Sequence, residues 1–473
     1  MSSIESRTLV LNGIDATTGG PLFRTTLGEI VDAARGEDLS AGESEELRRW
    51  ASAVREEHLD TRFQIDSKNL AEAGWGVVFP EGREAGLRAA LAPLLALRQA
   101  QAGAVHEHRY RELVSVRGES KARFLARHGV GPGPADPDRL PYYLLIVGDP
   151  SEISFRFQYQ LDVQYAVGRL SFATLEEYAS YAETVVAAEQ GALRTARRVS
   201  FFGMCHPGDA ATESSRHLLV EPLADGLLRD HPGWPVEKLL DAQATKAALA
   251  ERLGGARPPA LLFTAGHGLG FPVDDPRHAL NQGALLCQDW PGADVWPIPP
   301  EHYLAACDIP DSAPPAGLIA FHFACYSAGT PRFDSFKDKG KPREIAAESF
   351  VARLPQRLLG HPRGGALAVI GHVDRAWTYS YDWPDSGDQL QVFQSALGRL
   401  LDGYPVGAAM EYFNQRYAEL FTDLAEEREE MRWGGQPDFL NVAQLWTAAN
   451  DARSYAVLGD PAVRLAAGEE EAR

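Results

Sequence analysis

Two side chains stand where an apolar run stops. His267 closes the stretch Pro259-Ala260-Leu261-Leu262-Phe263-Thr264-Ala265-Gly266, and Cys325 closes Gly317-Leu318-Ile319-Ala320-Phe321-His322-Phe323-Ala324. Together they offer a known chemistry. A thiol is mostly protonated at neutral pH, and only its thiolate is a strong nucleophile. A neighbouring imidazole can take the thiol proton and later hand it to a leaving group. Gly268 follows the histidine and lets backbone approach a reacting carbonyl closely. The N–H groups of Gly268 and Cys325 are therefore candidate donors to a developing oxyanion.

The elements that must hold these groups are legible in the same runs. Continuous apolar stretches bounded by glycine and proline read as strands buried on both faces of a parallel sheet. In open α/β sheets the chemistry gathers outside the carboxyl ends of the strands. Two neighbouring strands would bring His267 and Cys325 to one crevice. Further runs read the same way: Trp75 to Pro80, Leu140 to Pro150, Tyr165 to Leu170, Val199 to Gly203, Gly365 to His372 and Tyr455 to Pro461. Helical segments alternate with them. Thr174 and Glu177 have capping-box spacing, and Thr245 to Leu253, Ile345 to Leu359 and Tyr404 to Arg432 also read as helices. Alternation of strands and helices argues for βαβ units and an α/β fold.

An apolar strand ending in His267-Gly268, followed by one ending in Ala324-Cys325, resembles the caspase-like cysteine peptidases. These include caspases, metacaspases, separase, gingipains and the CHAT-type bacterial proteases. The caspase histidine also lies about 50 residues upstream of its cysteine. The motif departs from true caspases, because Phe323-Ala324-Cys325-Tyr326-Ser327 replaces their Gln-Ala-Cys-x-Gly. Leu458-Gly459-Asp460-Pro461 resembles the closing strand of gingipain-like and CHAT domains. The resemblance implies a mostly parallel, caspase-like sheet flanked by helices. It also implies two subdomains, expected at residues 71–235 and 236–473, after an N-terminal extension of residues 1–70. One sheet spanning both subdomains stays open. The implied activity is endopeptidase cleavage without a cofactor, in limited proteolysis serving bacterial stress, cell death or phage defence. Two rivals stay open: a catalytically silent regulatory module, and a cysteine hydrolase or acyltransferase acting on a small amide.

A third catalytic group is also expected. Gingipain-like enzymes supply an acid four residues before the glycine of an apolar-Gly-Arg motif. Here that motif is Val167-Gly168-Arg169, and the matching position is Gln164. Asp162, two residues earlier, would share its face on an extended chain. Asp162 is therefore expected either to reach His267, directly or through Gln164 or water, or to be a surface aspartate or turn cap. Phe323 holds the position that is acidic in metacaspases, so the sequence leaves the specificity for the residue before the cut open. Asp374 and Trp377 follow another buried strand and read either as a substrate-binding loop or as a capped surface turn. Leu269 to Ala316 and Gly329 to Pro342 are expected to border the cleft. Within the latter, Lys337, Lys339, Lys341 and Arg343 suggest either a processing site or a solvated loop. No metal is expected, since His267, His322 and His372 lack ligand spacing.

Bulk properties narrow the function classes. The chain has 473 residues, 46 Lys+Arg against 65 Asp+Glu, and a net charge of −19. That balance disfavours nucleic acid as a partner, because phosphate contact needs a basic surface. Hydrophobic content of 45% and charged content of 23% suit a globular protein with a large core. Met1 to Thr18 has no signal-peptide pattern, and no apolar stretch suggests a membrane span. Cys205, Cys287, Cys307 and Cys325 are scattered without metal or disulfide spacing, which suggests a reducing cytoplasm. The expected partner is a protein or peptide substrate; any activator is unspecified. Glu43 to His58 reads as a charged helix, and residues 1–70 otherwise carry no legible function.

Overall fold

Ten strands form one sheet. The computed structural model describes residues 10–36, 65–255, 258–292, 294–338, 341–383, 387–433 and 438–468. The helix expected over Glu43 to His58 lies outside these residues, as does Lys339. In chain order the strands are β1 (Trp75–Pro80), β2 (Tyr110–Ser115), β3 (Tyr143–Val147), β4 (Ala166–Leu170), β5 (Ala196–Gly203), β6 (Val236–Leu240), β7 (Pro259–Ala265), β8 (Ile319–Phe323), β9 (Ala368–His372) and β10 (Tyr455–Gly459). Across the sheet they run β2-β1-β3-β4-β10-β9-β8-β7-β5-β6. All neighbours are parallel except β9 and β10, which are antiparallel. Every residue of β3, β7, β8, β9 and β10 is buried. This explains their unbroken apolar runs, because neither face meets water.

The antiparallel joint divides the sheet into two parallel halves of opposite direction. One half holds β1 to β4 and, alongside β4, the chain's last strand β10. The other holds β5 to β9. Ala196–Gly203 pairs with both β6 and β7, so the run from 196 belongs with the His267 and Cys325 strands. The sheet thus divides between Leu170 and Ala196, earlier than residue 235. Strand-helix alternation continues unchanged across that point, so the linear pattern carries no mark of it.

Local signals behave as elementary chemistry requires. The capping box of Thr174 and Glu177 opens helix Leu175–Glu189. Thr245 caps Lys246–Gly254, which leads into β7. The stretch after His267 is irregular but ordered. Gly268–Gly270, Leu285–Leu286 and Tyr303–Leu304 join Gly13–Asp15 in a small second sheet. Phe333–Asp338 and Lys341–Glu344 form a hairpin.

The joint is locked by Asp460, directly after β10. Its carboxylate accepts from Arg98 Nε at 2.7 Å and from Trp75 Nε1 at 2.9 Å. The side chains of Arg98 and Asp460 are both fully buried. Removing one partner of a buried pair strands the other charge. Asp460→Ala is expected to destabilise the fold by about 3–5 kcal/mol, measured by denaturant unfolding.

Candidate active site

The register of β7 and β8 brings the backbone at His267 and at Cys325 to the same end of the sheet. Ala265 pairs with Phe323, and His267 and Cys325 each lie two residues beyond that pair. The strands leave no room between their exits. A Cβ placed on Gly268 would fall 1.9 Å from Cys325 O, so glycine is needed for this approach.

Cys325 is fully buried. Its Sγ accepts from the Ala376 N–H at 3.2 Å. Burial pushes the thiol up to about 12, opposed by that hydrogen bond and by the charge of Arg375. The backbone N–H of Cys325 and that of Gly268 converge on one peptide oxygen, Asn12 O, each at 3.0 Å. Two convergent donors beside a thiol have the geometry of an oxyanion hole.

His267 is also buried, and its Nε2 meets Asp209 Oδ2 at 2.5 Å. Its Nδ1 has no hydrogen-bond partner among the described residues. Asp209 caps helix Ala210–Ser214, accepting from Ala211 N at 3.2 Å and from Thr212 Oγ1 at 2.8 Å. Burial pushes its carboxyl up, but the His267 charge and these hydrogen bonds win and hold it at about 2. Asp209 therefore presents a fixed negative charge to the ring.

The carboxylate that meets the His267 ring is that of Asp209, and not that of the expected Asp162. Asp162 Oδ1 accepts from Val167 N at 3.0 Å, within its own turn, and it makes no bond to the His267 ring. It ends helix Phe155–Asp162 rather than lying on an extended chain, so the assumed alternation of faces fails there. Gln164 donates to Gly131 O at 3.3 Å and does not bridge to the histidine either. Asp209 was missed because it sits in an irregular turn after β5. A cap signal was present, as an aspartate opening a short helix beyond a buried strand end.

The remaining candidates divide. Phe323 points into the core, edge-on to His372 at 5.3 Å and to Tyr381 at 5.5 Å between centroids, and is not a pocket residue. Asp374 is turned inward, with Ser335 Oγ at 3.2 Å and Arg375 N at 2.8 Å. Trp377 contributes through backbone: it bridges antiparallel to Leu11, while its N–H donates to Asp451 at 2.7 Å. His322 holds Thr264 Oγ1 at 2.8 Å, and burial lowers it to about 4. His372 lies 3.3 Å from Asp451. The hairpin borders this region, because its Asp334 clamps Arg375 at 2.7 Å.

No helix among the described residues is long and apolar enough to cross a membrane. No curated protein matches the chain. Among solved structures it is similar to one titled "Structure of Protease". The TM-score is 0.50 and the identity 13%, over 87% of this chain and 81% of that one. It is also similar to the complex of Porphyromonas gingivalis RgpB pro- and mature domains. There the TM-score is 0.42 and the identity 13%, over 83% and 80% of the two chains. The model of peptidase family C25 matches residues 133–466, most of the chain and all of the strands around His267 and Cys325. That match, over well more than half of the chain, makes it a member of peptidase family C25 and a cysteine peptidase.

Proposed function

We propose that this peptidase is an endopeptidase whose nucleophile is Cys325, with His267 as its proton carrier and Asp209 as the residue that orients the ring. The observation that carries this reading is the pair of N–H groups, from Gly268 and Cys325, on one peptide carbonyl at 3.0 Å each. An amide plane held there presents its carbon to the thiol. Asp209 engages Nε2 of the imidazole, which leaves Nδ1 to exchange the proton. The thiolate adds to the carbonyl carbon, and the two N–H groups take up the charge on oxygen. The C–N bond breaks as His267 protonates the departing amine, and water then hydrolyses the thioester. Protein substrates in a reducing cytoplasm, where a free thiol persists, are the proposed setting.

A peptidyl acyloxymethyl ketone tests the nucleophile. It should alkylate the wild-type protein at Cys325 and leave Cys325→Ala unlabelled, read by peptide mass mapping. Equal labelling of both proteins would refute the assignment.

A further inference from the structure

The carbonyl in the oxyanion hole belongs to this chain's own N-terminal segment, and the path of that segment is that of a substrate. Residues 10–12 run antiparallel beside residues 376–378. Asn12 N–H donates to Ala376 O at 2.8 Å, and Thr378 N–H donates to Val10 O at 3.1 Å. Gly13–Asp15 then pairs parallel with Gly268–Gly270. The segment thus crosses the site from one wall to the other by main-chain bonds, the way an extended peptide joins a sheet edge. Gly13 lies against the nucleophile: a Cβ placed on it would fall 2.7 Å from Cys325 Sγ. Beyond it the chain turns on Asp15, which accepts from Thr17 N at 2.8 Å, and Leu22 N–H returns to Gly13 O at 3.1 Å.

The side chain just before the seated bond is Asn12, and it is fully buried. Its Nδ2 donates to Ser215 Oγ at 3.2 Å. Ser215 is itself fully buried, in a π-helical turn over Ser215–Val220. Such turns are frequent at functional sites. The Ser215 hydroxyl donates to Thr212 O at 3.4 Å. Its proton is thereby committed, and only its lone pairs face the pocket. An amide NH₂ supplies the donor those lone pairs require, whereas an ionised aspartate is acceptor-only. A lysine or arginine could donate to the same lone pairs but would bring a full charge that a neutral hydroxyl, the single hydrogen-bond partner of the Asn12 side chain among the described residues, cannot balance. The same short segment carries Asp209, so one element sets both the histidine and the pocket.

We infer that the pocket for the residue before the cut is built for asparagine, with Ser215 as its specificity-determining residue, and that Asn12–Gly13 is a tethered substrate bond. This rests on the endopeptidase reading above. In the self-cleavage step Cys325 Sγ bonds to the Asn12 carbonyl carbon, its proton passing to His267. The Asn12–Gly13 bond breaks, and the proton goes to the Gly13 nitrogen. Water then releases an Asn12 carboxylate and restores the thiol. Until that happens the segment covers the thiol and keeps other peptides out.

Two measurements on the full chain test this. Intact mass and N-terminal sequencing of the purified protein should show a new terminus at Gly13 in wild type, absent in Cys325→Ala and in Asn12→Ala. Hexapeptides Val-Leu-Xaa-Gly-Ile-Asp should be cut with kcat/KM about 10²-fold or more higher for Xaa = Asn than for Asp, Arg or Lys. Ser215→Ala should shrink the Asn-over-Asp ratio about tenfold; an unchanged ratio would overturn the role of Ser215. Cys325-dependent cleavage after Arg, Lys or Asp in preference to Asn would overturn the asparagine pocket while leaving the endopeptidase reading intact. A wild-type chain that stays uncut while cleaving the asparagine peptide would overturn the tethered-substrate assignment. Absence of Cys325-dependent cleavage of any peptide would overturn both readings.

Discussion

Cys325→Ala is expected to lower kcat by about 10⁴-fold or more, the scale seen when a covalent nucleophile is removed. The size follows from what stays behind. The N–H donors of Gly268 and Cys325 are backbone groups and survive the substitution. The Asn12 carbonyl should therefore stay seated on them, but no atom remains to attack its carbon. The loss should appear as an uncut Asn12–Gly13 bond together with lost turnover of added peptide. The fold should survive, because only one sulfur leaves a site where, among the described residues, the Ala376 N–H is the one hydrogen-bond donor to it. Single-turnover hydrolysis, with circular dichroism as a check on folding, measures this. Wild-type turnover by a folded Cys325→Ala protein would sink the mechanism.

Asp209→Asn should cost about 10²–10⁴-fold in kcat, with KM little changed, since an amide can neither charge-pair with the ring nor enforce its tautomer. Asp209 acts through His267, so the two changes should not add. In a His267→Ala background, itself about 10²–10⁴-fold impaired, the Asp209 substitution should do little more. A purely structural role would instead lower stability equally in both backgrounds. Stability supplies a second readout. The Asp209 carboxyl sits at about 2 in the fold against an ordinary 3.8. Its contribution is complete above the ordinary value and disappears as pH falls through about 2. The stability gap between wild type and Asp209→Asn should therefore close across that window, as chemical denaturation at a series of pH values would show.

What the sequence disclosed follows from which forces leave a linear trace. Strands buried on both faces write themselves as apolar runs, so β7, β8 and the exits at His267 and Cys325 were legible. The order of strands was not, because the antiparallel contact of β9 with β10 joins residues far apart in the chain. Asp162 was chosen by supposing an extended backbone, and a helix stands there. Asp209 lies in a turn where periodicity says nothing. The N-terminal segment was unreadable for a deeper reason. Residues 10–13 are held along the site by main-chain hydrogen bonds, made by groups every residue possesses, so composition carries no sign of the path the segment takes.

The placement of β10 also has a consequence for biosynthesis. A nascent chain that has emerged only past Cys325 already owns the thiol, the histidine and Asp209. The edge of β9 that β10 will cover is then still open. The loop that grips the peptide is also untethered, for its anchor, Asp451, holds Trp377 N–H at 2.7 Å from helix Phe439–Ser454, next to β10. Contacts of such long range form late and slowly. The site is therefore completed only when helix Phe439–Ser454 and β10 have packed against it, and a chain that has emerged no further than Cys325 lacks that support.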